Sequence, residues 1–300
     1  MQSNLPSDID QYQIIKELGS GTFGDVYKAK VKKTGDIVAI KELDSYNSYY
    51  NEAQIYSDYP FPGILKMYTH FEQTQSKRHK SERYYIVFEL MEGDIGIKKF
   101  KISTIILRDL IYFMASTLNS LHSAGLAHMD VKPKNILWRE INDKIEFRLC
   151  DLGFVCETKT RRCKNGTTTY ISPDAADAFL QNGNSIDVDI AKGYDIWAFG
   201  LSLYKVITDG KNLFDYKHCN DTNHKRNCIL EIESKLKQKD IDKKVNTAAK
   251  HYGDHVKSIM LKCLQVNPEE RIKSDELLQL LDQTKVRSFK VGGTRKPGFY

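Results

Sequence analysis

Residues 128–153 carry the feature that most limits what this chain can be. HMDVKPKN leads into a strand-like ILWRE, a turn at Asn142-Asp143, a second strand-like IEFRLC, and then Asp151-Leu152-Gly153. Two such runs joined by a tight turn form an antiparallel hairpin. Asn135 just precedes the first strand and Asp151 just follows the second, so both belong at the open end, roughly 5 Å apart in backbone terms. Two oxygen-bearing side chains there suit Mg²⁺, which takes hard oxygen ligands and completes its shell with substrate phosphates. The loop leading in supplies Asp130, able to accept or orient a hydroxyl proton, and Lys132, able to offset charge developing on a phosphoryl group.

The remainder of the chain supplies a setting for that hairpin. Residues 12–43 read as three strands, YQIIKEL, DVYKAKV and DIVAIKEL, joined by a glycine-rich turn and by Thr34-Gly35-Asp36. A short helical stretch around residues 51–56 and two more strands, near ILKMYTHF and RYYIVFEL, make five strands and one helix before Met91. Beyond it the pattern turns helical. ISTIILRDLIYFMASTLNSLHSAG stops at Gly125, and YDIWAFGLSLYKVITDG and HVKSIMLKCLQV repeat its periodicity, before a loosely ordered tail from Ser288. The expected fold is therefore α+β: a small five-stranded antiparallel β lobe with one helix over residues 12–91, a larger mainly helical lobe over 92–285, a cleft between them, and a tail over 286–300.

Two further motifs carry chemistry. Gly19-Ser20-Gly21-Thr22-Phe23-Gly24 lies between two strands, so it is not a dinucleotide fingerprint, which opens a helix; nor does a Gly-Lys-Ser/Thr follow. Its glycines let backbone N–H groups approach phosphate oxygens, although a hairpin with no ligand fits equally well. In Val38-Ala39-Ile40-Lys41 the alternation puts Ala39 and Lys41 on one face, and a lysine held there by a carboxylate neutralises phosphate charge. Glu52 in the next helix is the candidate partner, with Ala53, Ile55 and Tyr56 packing its apolar side.

Composition excludes several classes. With 41% hydrophobic and 28% charged residues over 300 positions, the chain is an ordinary globular sequence, and no apolar run approaches the roughly 20 residues that span a bilayer. The net charge of +6 is scattered, which argues against nucleic acid, and the densest basic run, residues 77–83, reads as a solvated hairpin loop. Six cysteines without regular pairing read as reduced thiols, and with the polar start MQSNLPSDIDQ they place the protein in the cytosol or nucleus, as a monomer without a membrane partner. His218, Cys219, His224 and Cys228 are the one zinc candidate, set against a plain polar loop because no Cys-x-x-Cys accompanies them.

Taken in order, GSGTFGDV, VAIK, a helix glutamate, HMDVKPKN, DLG, SPD, DIWAFG and Arg271 closely resemble the eukaryotic protein kinase family, over about residues 12 to 283. The resemblance implies ATP and Mg²⁺ as cofactors and a protein substrate. Gly19, Gly21 and Gly24 would cover the phosphates; Lys41 would touch the α- and β-phosphates and pair with Glu52; Asp130 would be the catalytic base, with Lys132 beside it; Asn135 and Asp151 would hold magnesium. Glu89 to Met91 would receive adenine through the backbone behind Phe88, with Val26, Ala39 and Leu137 sandwiching the ring. Asp174 would clamp to Arg271. Lys132 and Thr167, the latter placed to contact the catalytic aspartate and lysine, resemble the serine/threonine branch.

Four departures shape the expectation. Met129 replaces an arginine that commonly binds an activation-segment phosphate, so activity without phosphorylation between Cys156 and Thr169 is expected. Leu152 replaces phenylalanine at a packing position. The linker from Lys41 to Glu52 is short for the family. Lys134, with Arg161, Arg162 and Lys164, points to acidic or neutral substrate sequences. His-Met-Asp with Asp-Leu-Gly also resembles Wee-type kinases, and a pseudokinase scaffold is the alternative from another class, although none of the residues such proteins usually lose is missing.

Overall fold

The computed structural model describes residues 5–21, 24–74, 81–97, 100–157, 163, 166–182, 186–216, 219 and 225–291. By internal contacts the chain forms two compact units, residues 1–98 with 134–155, and residues 99–133 with 156–300. The hairpin bearing Asn135 and Asp151 thus groups with the strands that precede Met91.

In the first unit, β1 (Tyr12–Gly21), β2 (Gly24–Val31), β3 (Ile37–Leu43), β4 (Met67–Gln73) and β5 (Arg83–Phe88) make an antiparallel sheet in the order β1-β2-β3-β5-β4. Alternation sends Ala29, Val31, Val38, Ile40, Tyr85 and Val87 into a core with Tyr12 and Phe71. The same period of two turns Ala39, Lys41 and Phe88 to the opposite face, where helix α1 (Tyr46–Asp58) packs. That helix runs 13 residues, well beyond the 51–56 stretch expected. Its first turns are Tyr, Asn and Ser, which carry no apolar stripe; the Ser45 hydroxyl caps it by accepting the Ser48 N–H at 3.4 Å.

The hairpin is β8 (Ile136–Ile141) and β9 (Lys144–Leu149), with β6 (Gly93–Asp94) beside β8. Asn142 and Asp143 both take positive φ, 52° and 60°, which is the two-residue turn whose twist matches antiparallel strands. Leu149 ties the hairpin to the preceding segment: its N–H reaches the Gly63 carbonyl and its carbonyl accepts from Leu65, both at 2.9 Å.

In the second unit, α2 (Thr104–Ser123) buries Leu107, Leu110, Ile111, Met114, Leu118 and Leu121 at helical spacing and ends where Gly125 turns to φ 78°. Then come β7 (Leu126–Ala127), paired with β10 (Cys156–Glu157), and α3 (Pro173–Asn182), α4 (Val188–Ile207), α5 (Lys225–Glu233), α6 (Gln238–Ala248), α7 (Gly253–Cys263) and α8 (Ser274–Val291). Helix α4 is buried all round its middle at Tyr194, Asp195, Ile196, Trp197, Ala198 and Phe199, so it is the helix about which this unit packs. A five-stranded antiparallel sheet with one helix, and a second unit dominated by helices, is the α+β class that the sequence led us to expect.

The cysteines require a correction. Cys156 is bridged to Cys163 and Cys219 to Cys228, with Cα atoms 5.2 and 5.7 Å apart, while Cys150 and Cys263 are in no disulfide. Separations of 7 and 9 residues had shown no regular pairing, because connectivity cannot be read from spacing alone. Cysteine usage therefore no longer argues for a reducing compartment. The zinc candidate falls with it: Cys219 and Cys228 are bonded to each other, and no cluster of three metal-ligating side chains exists among the described residues. His218 and His224 lie outside those residues, as do Thr22, Phe23, Lys77 to Lys80, Arg161, Arg162 and Lys164. Helix α8 continues to Val291, past the Ser288 at which the tail was expected to begin, and 292–300 are not described. No helix among the described residues is long and apolar enough to cross a membrane.

Candidate functional site

The first unit gathers Lys41, Glu52, Asn135 and Asp151. Strand β3 presents Lys41 on the α1 face, and its ammonium donates to both Glu52 oxygens, at 2.8 and 2.6 Å, and to Asp151 Oδ1 at 3.2 Å. The short linker therefore does not prevent the pair, because α1 begins three residues after β3 ends and brings Glu52 round on its second turn. Burial by itself works to lower the Lys41 pKa, but Glu52 and then Asp151 outweigh it, so the ammonium is held charged. Burial likewise pushes the Glu52 carboxyl up from the usual carboxylate range, with Lys41 pulling it back.

At the open end of the hairpin the last rung is the Cys150 N–H donating to the Asn135 carbonyl at 2.9 Å. Asp151 follows at once, at φ 66° and ψ 73°, a left-handed conformation uncommon outside glycine. Its N–H donates to the Tyr56 hydroxyl oxygen at 3.2 Å. Asn135 and Asp151 thus lie at the same end of the hairpin by their backbones, and each carries a hard oxygen donor of the kind a magnesium ion takes. Among the described residues, nothing lies within 4 Å of where a Cβ would stand on Gly19 or Gly21, leaving space beside that backbone, whereas a Cβ on Gly24 would overlap the Glu42 carbonyl. Ala39 pairs with Phe88 and Val26 with Lys41 across neighbouring strands, while Leu137 pairs with Asp94. Glu89 is tied at both ends. Its N–H donates to the Lys66 carbonyl at 2.9 Å, and its carboxylate takes Arg139 at 2.7 Å, Arg148 at 3.1 Å and the Lys66 N–H at 3.0 Å, so its carbonyl is what remains for a ligand. Met91 is buried two residues on.

The second unit gathers Asp130, Lys132 and Thr167 in a closed triangle. Lys132 donates to Asp130 Oδ2 at 2.6 Å and to Thr167 Oγ1 at 2.9 Å, and the Thr167 hydroxyl donates to Asp130 Oδ1 at 2.7 Å. Gly166 donates its N–H to the Met129 carbonyl at 3.1 Å, and a Cβ there would overlap the Asp130 carboxylate. The loop is gripped from below by Asp195 of α4, which accepts the His128 N–H at 2.6 Å and the Met129 N–H at 2.8 Å and faces His122 at 3.0 Å. Met129 itself, at φ 66°, is fully buried. Asp174 meets Arg271 at 2.7 Å, with the guanidinium stacked over Trp197 at 5.3 Å.

A family model described as "Protein kinase domain" matches residues 12–281. The chain belongs to that family. Among curated relatives, human serine/threonine-protein kinase D3 is 30% identical over 214 residues, covering 64% of this chain and 22% of that protein. The Aurora kinase of Saccharomyces cerevisiae is 26% identical over 280 residues, 88% of this chain and 67% of its own length. The Aurora kinase of Schizosaccharomyces pombe is 26% identical over 287 residues, 90% and 71% respectively. The chain thus spans about a fifth of the length of the kinase D relative.

Two residues of this kinase domain went unassigned in the sequence reading. Asp195 lay inside the DIWAFG motif without a role; an acidic residue inside an otherwise apolar helical run was the available signal, since a buried carboxylate needs donors. Tyr56 had been given only packing, and a phenol among packing residues gives no sign of what its oxygen meets.

Proposed function

We propose that the protein transfers the γ-phosphoryl group of ATP to serine or threonine hydroxyls of protein substrates. The observation that carries this reading is the Asp130–Lys132–Thr167 triangle, which fixes a carboxylate beside a cation with one oxygen edge aimed by a threonine. The acceptor hydroxyl attacks the γ-phosphorus, the bond to the bridging oxygen breaks, ADP departs, and Asp130 accepts the hydroxyl proton while Lys132 offsets charge on the transferring group. Lys41, held charged by Glu52, neutralises the α- and β-phosphates, and the open backbone at Gly19 and Gly21 receives phosphate oxygens. Asn135 and Asp151 would hold a magnesium ion, which would supply charge neutralisation for the phosphates. The carbonyl of Glu89 and the backbone of Met91 receive adenine, beside Val26, Ala39 and Leu137.

Met129 supports independence from an activation-segment phosphate: a fully buried thioether where an arginine would stand offers no charge to one. The exposed Lys134 supports a preference for acidic or neutral acceptor sequences. One experiment tests the set. Phosphatase-treated protein is given Mg-ATP with peptides of acidic or arginine-rich flanks and with a mixed protein substrate, beside Asp130→Ala and Asp151→Asn. Transfer to serine and threonine, about a hundredfold or more above either variant, is expected. Native transfer no greater than that of the variants leaves a pseudokinase; phosphotyrosine as the product leaves the Wee-type reading. Inactivity after phosphatase treatment, or a preference for arginine, removes the corresponding refinement.

A further inference from the structure

Helix α1 touches the site twice, and only one of those contacts is accounted for by the ion pair. Glu52 and Tyr56 are four residues apart and share one face of the helix. Glu52 holds Lys41; Tyr56 reaches past it, and its hydroxyl oxygen accepts the Asp151 N–H at 3.2 Å. We infer that Tyr56 is a positioning residue for Asp151, its hydroxyl fixing the backbone of the proposed magnesium-binding aspartate so that the carboxylate is presented correctly.

Three observations support this assignment. The Asp151 backbone is in the left-handed region, a conformation that is strained for a non-glycine residue and persists where surrounding contacts impose it. The hairpin ladder has ended one residue earlier, at Cys150, so it does not supply that contact. The Tyr56 ring is buried and meets the Phe88 ring edge-on at 4.9 Å, which leaves the hydroxyl little freedom to go elsewhere. Burial also raises the phenol's pKa well above its ordinary value, with nearby Cys150, Glu52 and the Asp151 carboxylate adding to the effect and the Asp151 N–H opposing it. The Lys41 ammonium meets the Asp151 carboxylate and Tyr56 meets its N–H, so one residue is held at both its charge and its backbone.

The inference rests on reading Asp151 as a magnesium ligand, and the test separates the two. Binding of a fluorescent ATP analogue is measured in EDTA and across a magnesium titration for the native protein and for Tyr56→Phe, which keeps the ring and its packing. The metal-free affinity is expected to agree within about twofold, while the gain on adding magnesium falls, and the half-saturating magnesium concentration rises, by about three- to tenfold. Hydrogen exchange at the Asp151 amide is expected to be slow in the native protein and faster in the variant. A native magnesium gain that Tyr56→Phe keeps in full, or rapid exchange of that amide in the native protein, overturns the inference alone. A native protein that gains nothing from magnesium overturns the magnesium reading and the inference with it.

Discussion

The two units hold their functional carboxylates by different means. In the first, Glu52 and Asp151 come from a helix and a hairpin far apart in sequence, and a single buried ammonium joins them. In the second, Asp130 is fixed by atoms with little freedom: Gly166 pressed against its carboxylate, Thr167 and Lys132 on its oxygens, and two backbone N–H groups of its own loop bound to Asp195. An arrangement held by charges on separate elements changes when one element moves. One held by backbone contact and steric exclusion does not yield gradually; it is either intact or displaced. The first unit is thus expected to tolerate adjustment at its carboxylates better than the second.

The sharpest way to break that contrast is to add one methyl group. Gly166→Ala places a Cβ where the Asp130 carboxylate stands, and nothing in the triangle can give way without losing a bond. Transfer is expected to fall by about a hundredfold, the usual consequence of a displacement near 1 Å at the reacting group, with nucleotide binding nearly unchanged. Steady-state kinetics together with analogue binding would check this. Near-native turnover would mean that the second unit is as adaptable as the first.

Glu52→Gln probes the other half and should do less. The substitution removes a buried anion, yet Lys41 keeps Asp151 at 3.2 Å as a second partner, so the ammonium is not left alone. About a tenfold rise in KM for ATP is expected, with a smaller change in kcat, because the lysine drifts toward Asp151 while Asp130 is untouched. A loss as deep as that of Gly166→Ala would show that the ion pair is as rigid as the triangle.

How much of this was legible in the sequence follows the same division. Asn135 and Asp151 could be assigned to one end because a hairpin with a two-residue turn has only one open end, and Asp130 and Lys132 were read beside them because their loop runs directly into that hairpin. Glu52 was harder, since α1 carries few apolar residues to announce its start at Tyr46, and the pairing depends on a helix boundary that tyrosines and asparagines do not mark. Asp195 and Tyr56 act through groups that sequence does not display: backbone N–H donors in a loop 66 and 67 residues away for one, and the amide of Asp151, 95 residues on, for the other. The bridges Cys156–Cys163 and Cys219–Cys228 escaped for a related reason, that proximity across a folded loop leaves no periodic trace.

Glu52 and Glu233 of α5 are two carboxyls buried alike, 1% and 0% exposed. Glu52 has an ammonium; Glu233 has the Tyr216 hydroxyl, and its Oε2 has no hydrogen-bond partner among the described residues. Burial lifts the Glu233 pKa from 4.5 to about 8, with the tyrosine pulling it down only in part. The folded protein therefore keeps this proton over a range where the unfolded chain has released it. Its contribution to stability is complete below about pH 4.5, declines as pH rises toward 8, and is level above that. Across the window the native protein should lose about 1.4 kcal/mol per pH unit more than Glu233→Gln, which cannot ionise and retains the group facing Tyr216. Urea unfolding at intervals from pH 5 to 8.5 would measure it, with phosphoryl transfer unchanged because Glu233 touches none of the site residues. Parallel curves would mean that Glu233 ionises in the fold as a solvated carboxylate does, and that burial without a cation is not what separates it from Glu52.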